Sequence, residues 1–514
     1  MEYRSILGPD AGAGEPQEMT EALHDGRIDS LIDAAAQDPR WAEAHPLFLA
    51  APAGERTAEW RLGVFSDLMA DPALRRSVES FSHDLSALLD DLAAVLEHFG
   101  PAKAASLDDV SRLALLSCAE RWCSLIERFE EALHSAHLGE GLGSFARYLA
   151  RYCAADSYLR LKDDIAHTKK LLGYVQCSLL VDDMGMRVRK YQGEPALSRG
   201  LEDLIRPFEP YEAKPEPEWP APAAADPAMD AAVLEAASRD FGDQFRALQT
   251  FCERHTAFAD EKIARFAWDV RFYLAWLTLT DKVQEKGMPV SLPTFAGADD
   301  IVELKDVCDG ALALGDGCVP MTVTLAPGER LAVISGRPHS GRTTAARAII
   351  QAVWCASMGL PVLAHKAHLP YRGTLSAWMQ DTHDAKHGMA GIRGALAGAG
   401  EDALLVLDCP VPSGSPSDQL AFTELILEEA LASAASVVVT AGPDGVTIPD
   451  GLAHACASFA FADDTEHPGM RSSKLARHAP WGMESAHAMA ERYGLGTEQL
   501  KARIAANRQG ADAE

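Results

Sequence analysis

The spacing of apolar residues changes character near residue 290, and that change limits the fold more than any other feature of the chain. Between residues 60 and 173, Leu and Phe recur at three- and four-residue intervals. The pattern runs through FSDLMADPALRRSVESFSHDLSALLDDLAAVLEHF, VSRLALLSCAERWCSLIERFEEALHSAHL and GSFARYLARYCAADSYLRLKDDIAHTKKLL. This period predicts long amphipathic helices. Pro101 and the Gly139–Gly143 cluster mark their breaks. After 290 the apolar residues come in short continuous runs: LAVIS, LPVLA, DALLVLD, ASVVVTAG and SFAFA. Runs of that length alternating with helical stretches predict a parallel sheet covered on both faces.

Smaller changes of period fill in the organisation. VQCSLLV, DDMG and MRVRKY over 175–191 alternate with period two and predict a β-hairpin turning at Asp183–Gly185. EPYEAKPEPEWPAPAAADPA over 209–228 is Pro-rich and acidic and reads as an extended connector. Helical spacing returns at 229–286, and MESAHAMAERYG and TEQLKARIAANRQG predict two closing helices. The expected domains are an acidic N-terminal segment over 1–60, a helical domain over 61–290, an α/β domain over 291–470 and C-terminal helices over 471–514 packed on it. The aromatic residues Phe251, Phe258, Phe266, Trp268, Phe272, Tyr273 and Trp276 are expected to be core.

Charge separates function classes. The chain has 514 residues, with 47 Lys and Arg against 75 Asp and Glu, a net charge of −28. A protein coated in basic surface for duplex binding is excluded. The average hides a contrast. Residues 1–60 carry 12 acidic and 4 basic side chains, whereas 147–190 carry nine Lys or Arg and five Asp. Contact with DNA phosphates is therefore confined to 147–190, where the alternative is an ordinary solvated helix face. No run approaches the ~18 apolar residues of a membrane span, and no basic start followed by an apolar run marks a secretory signal. Ten scattered cysteines include no CxxC pair, so reduced, mostly buried thiols and a cytoplasmic location are expected. His365 and His368, like His383 and His387, have no third ligand at suitable spacing and read as surface histidines rather than a zinc site.

The sharpest chemical signal is Gly336-Arg-Pro-His-Ser340-Gly341-Arg342-Thr343-Thr344, directly after LAVIS and directly before a helical run. Strand, Gly-rich loop and helix is the setting of a phosphate-binding loop. Its glycines let backbone N–H groups curve around phosphate oxygens, and the helix N-terminus adds its positive end. Thr343 is the expected Mg²⁺ ligand. Arg342 stands where the pattern GxxxxGK[ST] has Lys, and its planar fork needs more room than a slim ammonium. The alternative is a Gly-rich turn that binds nothing. Asp408 ends the apolar strand LLVLD, where a carboxylate can hold the water shell of a nucleotide-bound Mg²⁺. Its alternative role is capping a neighbouring turn. Cys409 follows, and a neutral thiol is a poor general base.

Together these residues resemble the MutS mismatch-repair superfamily, in particular short MutS-related proteins with a helical core and lever domain before an ABC-type ATPase domain. RFAWDVRFYLAWLTLTDKVQEKGMPVSLP resembles the long helix leading into the ATPase. ERLAVISGRPHSGRTTAARAIIQAVWCASMGLPVLAHKAHL resembles the phosphate-loop block. DALLVLDCPVPSGSPSDQLAFTELILEEAL resembles the Asp box and its downstream loop, and RSSKLARHAPWGMESAHAMAERYGLGTEQLKARI the closing segment. The resemblance is good over about 240–507 and rests on helix–hairpin order over 60–240. It implies an α-helical core/lever domain with a β-hairpin at its tip, followed by an α/β P-loop domain.

The resemblance also assigns residues. Gly336, Ser340, Gly341, Arg342, Thr343, Thr344 and Asp408 would hold ATP and Mg²⁺. Ser415 and Asp418 would face the phosphate loop of a second subunit, in a homodimer or a heterodimer with an active MutS-like ATPase. Arg187, Arg189 and Lys190 would approach DNA. Four positions depart from the family. Arg342 replaces Lys, Cys409 replaces the catalytic Glu, Ala441 and Gly442 replace a γ-phosphate-sensing His, and 380–394 has no clear counterpart of the signature Ser that reaches the partner's nucleotide. Each such loss costs about 2–4 kcal/mol of transition-state stabilisation. The expectation is a weak or inactive ATPase that binds nucleotide poorly and contacts DNA as a dimer. Its rivals are a scaffold that has lost ATP and DNA binding, and an unrelated P-loop enzyme with an Arg-containing loop.

Overall fold

The structure, a computed structural model, describes residues 3–9, 24–50, 54–97, 108–182, 185–193, 227–315, 317–336, 340–379, 385–409, 416–441, 454–463, 471–477 and 501. The chain divides into two compact units. One combines residues 1–75, 137–145 and 268–514; the other combines 76–136 and 146–267. These units do not follow the boundaries expected at 60/61 and 290/291.

The second unit is helical, with one hairpin among its described residues. Asp71 starts the helix Pro72–Glu97 by accepting the Ala73 and Leu74 N–H groups at 2.8 and 3.0 Å, and Pro72 has no N–H to satisfy. Asp108 starts Asp109–Ser135 by accepting the Ser111 N–H at 2.7 Å. The two helices meet through Phe81 and Phe129, whose rings stack at 3.9 Å, with Phe266 against both. Fully burying a Phe contributes about 1.5–3 kcal/mol, so this trio anchors the unit. Gly242–Arg254 buries Phe245, Leu248 and Phe251 against Asp109–Ser135 and Asp156–Leu172. The expected hairpin forms from β1 (Cys177–Asp182) and β2 (Gly185–Lys190), antiparallel, with Cys177 opposite Lys190 and Asp182 opposite Gly185.

The first unit is α/β. A small sheet contains β3 (Thr294–Phe295), β4 (Val302–Val307), β5 (Met321–Leu325) and β7 (Lys366–Leu369), in the order β3-β7-β4-β5. The large sheet contains β6 (Leu331–Ser335), β8 (Thr374–Trp378), β9 (Ala403–Asp408), β10 (Ser436–Ala441), β11 (Cys456–Asp463) and β12 (Arg471–Arg477). Its order is β12-β11-β6-β10-β9-β8, parallel throughout except for the edge strand β12.

Strand alternation puts two layers of helix on this sheet. Leu331, Val333, Leu405, Leu407, Val437 and Val439 share one core with Ile392, Leu396, Ile426 and Leu427, from Ala385–Gly398 and Pro416–Ala432. The intervening residues face the other side, where Arg342–Met358 packs on β9 and β10. The fold is thus the expected helical part plus an α/β part.

Residues near the start of the chain complete the α/β unit. The helix Glu55–Ala70 buries Phe65 beside Phe272 and Tyr273, from Arg271–Glu285. Buried Arg61 donates to the Leu7 carbonyl at 2.8 Å and to the Met358 carbonyl at 2.9 Å, at the end of Arg342–Met358. Gly359 has φ +72°, and a side chain there would meet the Ala58 carbonyl at 2.7 Å, so the helices cross closely.

LPVLA differs from expectation. It makes one antiparallel bridge, Ser291 to Val362, and the strand lies further on at β7. Pro361 has no N–H for a ladder, and its carbonyl accepts the Trp276 indole N–H instead, at 3.0 Å. The aromatic expectation holds except at Trp268, which is 38% exposed. Of the connector only Pro227 and Ala228 are described, and they begin the helix Pro227–Asp240; the closing helices, apart from Lys501, lie outside the described residues.

Candidate functional site

The candidate site lies at the carboxyl edge of the large sheet, where ligands of open α/β sheets bind. Ser335 ends β6, Asp408 ends β9 and Ala441 ends β10, which lies between them. Gly336 is buried, and a side chain there would meet Ser340 Oγ at 2.5 Å. Gly341 has φ +111° and leads into Arg342–Met358. These two glycines permit the tight return. Arg337, Pro338 and His339 lie outside the described residues.

This edge brings two hydroxyls and one carboxylate together. Thr343 Oγ1 donates to Asp408 Oδ2 at 2.7 Å. Thr440 Oγ1 donates to Asp408 Oδ1 at 2.5 Å and accepts the Cys409 N–H at 2.9 Å. Asp408 is buried, so both carboxylate oxygens are satisfied where an unpaired one would be costly. Ser340 Oγ is buried and, among the described residues, has no hydrogen-bond partner. The helix after it starts without a side-chain cap, so its first N–H groups keep their capacity for an anion. Thr344 is half-buried in the first turn.

These residues fit a Mg²⁺-bound phosphate chain. Ser340 and the first turn of the helix would take phosphate oxygens. Thr343 and Asp408, already within a hydrogen bond of each other, would take the metal's shell. Bound Mg²⁺–nucleotide supplies an activated phosphoryl group and the charge that polarises it.

The groups needed to move protons are different. Cys409 is 9% exposed, and burial pushes its thiol up despite the nearby Arg342 guanidinium. A neutral thiol neither takes a proton from water nor reacts readily with electrophiles. Its backbone has φ 48°, a left-handed conformation that costs a non-glycine residue about 1 kcal/mol. The Arg342 guanidinium donates to the Ala441 carbonyl at the end of β10.

Thr440 is the site residue that sequence reasoning missed. Parallel register places it directly beside Asp408, and that follows only once β9 and β10 are known to be neighbours. Asp418 is exposed in the first turn of Pro416–Ala432. Ser415, Gly442 and residues 380–384 lie outside the described residues, and Gly388 falls on the helix Ala385–Gly398.

The basic segment divides in two. Lys162 and Lys169 form ion pairs with Glu127 and Glu120 across neighbouring helices. Arg189 and Lys190 are exposed on β2, with the Lys190 ammonium 5.1 Å from the Phe241 ring centre. Arg187 lies on the same strand; its side chain is outside the described residues.

Among the described residues no three His, Cys, Asp or Glu could share a metal ion. His368 hydrogen-bonds Thr294 Oγ1 at 2.8 Å. Cys118 and Cys123 are both buried, and burial pushes the Cys123 thiol up to about 11. Among the described residues no helix is long and apolar enough to cross a membrane. No protein-family model matches the chain, and no curated protein matches it.

Proposed function

We propose that this chain is a MutS-related protein whose ABC-type P-loop domain binds Mg²⁺–ATP weakly and turns it over poorly or not at all. The observation that carries the reading is the Thr343–Asp408 contact at 2.7 Å beside a helix N-terminus with no side-chain cap. The hydroxyl and the carboxylate that would share a metal shell are already together. The departures support the second half. Cys409 is a buried thiol where the family has Glu, and the Arg342 guanidinium is engaged with a carbonyl. In this reading nucleotide acts as a ligand that orders the carboxyl edge of the sheet, in a cytoplasmic homodimer or a heterodimer with an active relative.

Contact with DNA belongs to the hairpin end of the basic segment, since Arg189 and Lys190 are exposed there. The scaffold reading draws on the other end, where Lys162 and Lys169 are committed to Glu127 and Glu120.

Calorimetry with Mg²⁺–ATP on the full chain tests the proposal, with phosphate release measured in parallel. Saturable binding, weakened about tenfold or more by Thr343→Ala, with phosphate release at background, is expected. Brisk hydrolysis that disappears in Arg342→Ala overturns the inactive assignment. Absence of ATP heat at millimolar concentration overturns nucleotide binding and leaves the scaffold. Duplex and branched DNA titrated at two salt concentrations separate the readings further. Salt-dependent binding, weakened by Arg189→Glu and Lys190→Glu, supports the DNA-contacting protein.

A further inference from the structure

The opposite, amino edge of the large sheet borders a cavity of about 250 Å³ against the small sheet. It lies where β6, β9 and β10 begin, one strand length from the phosphate loop, or about 16 Å. Leu304, Val323, Ile349, Val353 and Leu404 form apolar walls, drawn from both sheets and from the helix between them. The volume is just below the ~300–1,000 Å³ of drug-sized sites, so it suits a ligand on the order of ten non-hydrogen atoms.

The polar lining is asymmetric in charge. Arg330 and Arg372 line the cavity, and among the described residues neither pairs with a carboxylate. Arg372 donates through Nη1 to the Glu401 carbonyl at 2.7 Å and through Nη2 to Ser436 Oγ at 2.7 Å. A guanidinium has five N–H donors; with Nη1 also donating to the Tyr371 carbonyl at 3.4 Å, the Nε–H and the second Nη2–H have no partner among the described residues. The acids at the rim are already engaged. Glu329 accepts the Ala326 N–H at 2.7 Å and pairs with Arg477, and Asp300 accepts the Gly297 N–H at 2.8 Å. An entering anion therefore meets under-used donors rather than a carboxylate seeking a partner. Burial also pushes the Arg372 guanidinium down from its ordinary value, outweighing the opposing pull of the Asp402 carboxylate.

We propose that this cavity binds a small amphiphilic carboxylate, its apolar body between the two sheets and its anionic head on Arg372. The site is independent of the nucleotide reading and shares no lining residue with the phosphate loop.

Octanoate, octan-1-ol and octylammonium, titrated separately into the full chain by calorimetry, test it. Octanoate should bind saturably and about tenfold or more tighter than octanol, and octylammonium should not bind. Val353→Trp fills the cavity and should abolish octanoate binding with the circular dichroism spectrum unchanged. Arg372→Gln should reduce octanoate to the level of octanol. Octanol binding as tightly as octanoate overturns the proposal, as does octanoate binding that survives Val353→Trp. Absence of saturable octanoate binding at millimolar concentration does the same. Should one variant fail to fold, the other variant and the ligand series still decide.

Discussion

The two ends of the large sheet solve one electrostatic problem with opposite charges. At the carboxyl end a buried carboxylate, Asp408, is held by two threonine hydroxyls near the uncapped start of Arg342–Met358. At the amino end the buried or half-buried charges are arginines, held by helix-terminal carbonyls. Arg61 reaches the Met358 carbonyl. Arg330 reaches Ala430 at 2.9 Å, Leu431 at 2.6 Å and Ala435 at 2.8 Å, at and just beyond the end of Pro416–Ala432. The backbone sets this division. In a parallel α/β layer the covering helices start at the carboxyl edge and finish at the amino edge. Partial positive charge collects at one end and partial negative charge at the other. The carboxyl end thereby combines partial positive charge with one buried carboxylate. The amino end has cations with donors to spare, and both candidate sites inherit this polarity.

The comparison breaks most visibly at Arg61. Arg61→Ala strands the Leu7 and Met358 carbonyls in the interior and empties the volume of a buried side chain. Urea unfolding of the α/β unit should show a loss of about 4 kcal/mol. Arg61→Lys should recover only part, because a single nitrogen must serve two carbonyls that Nε and Nη1 of Arg61 reach separately. If Arg61→Ala costs no more than a surface substitution, the helix-end arginines are ornaments of the fold. Thr440→Val tests the carboxyl end with a smaller effect. It leaves the Cys409 N–H unpaired and removes one of the two donors to Asp408, for an expected loss of about 2 kcal/mol by the same measurement.

The unequal legibility of the two ends has a physical origin. The strands β6, β9, β10 and β11 were readable because a parallel strand covered on both faces must be apolar at every position. The loop was readable because its glycines have one use, a return too tight for a side chain. Nothing comparable marked β4 and β8. VELKDV and TLSAW mix polar and apolar residues, as strands with one half-exposed face do. LPVLA was apolar enough to pass for a strand, yet Pro361 denies it a ladder. The partners of Asp408 were only half legible, because Thr343 lies in the motif whereas Thr440 depends on strand order. The amino-edge cavity was not legible at all. Its walls come from segments scattered between residues 297 and 438, and only the fold brings them together.

A helix that carries its own cap gives the control for the uncapped one. Asp108 opens Asp109–Ser135 by accepting the Ser111 N–H, a bond that the N-cap residue of Arg342–Met358, Gly341, has no side chain to make. Bonds from the backbone and the side chain of Ser111 hold the Asp108 carboxyl below its ordinary range. A carboxylate with a depressed pKa in the folded chain contributes its full stability above the unfolded value, about 3.9, and loses it as pH falls through the folded value. Asp108→Ala should therefore cost about 1 kcal/mol at neutral pH. The mutant and wild-type proteins should converge as the pH drops below both values. Hydrogen exchange at the Ser111 amide reads the local effect directly, with faster exchange expected in the variant near neutrality. Equal protection in the two proteins at neutral pH would mean that caps contribute nothing measurable in this chain. The bare N-terminus after Gly341 could then no longer be read as capacity held for a ligand.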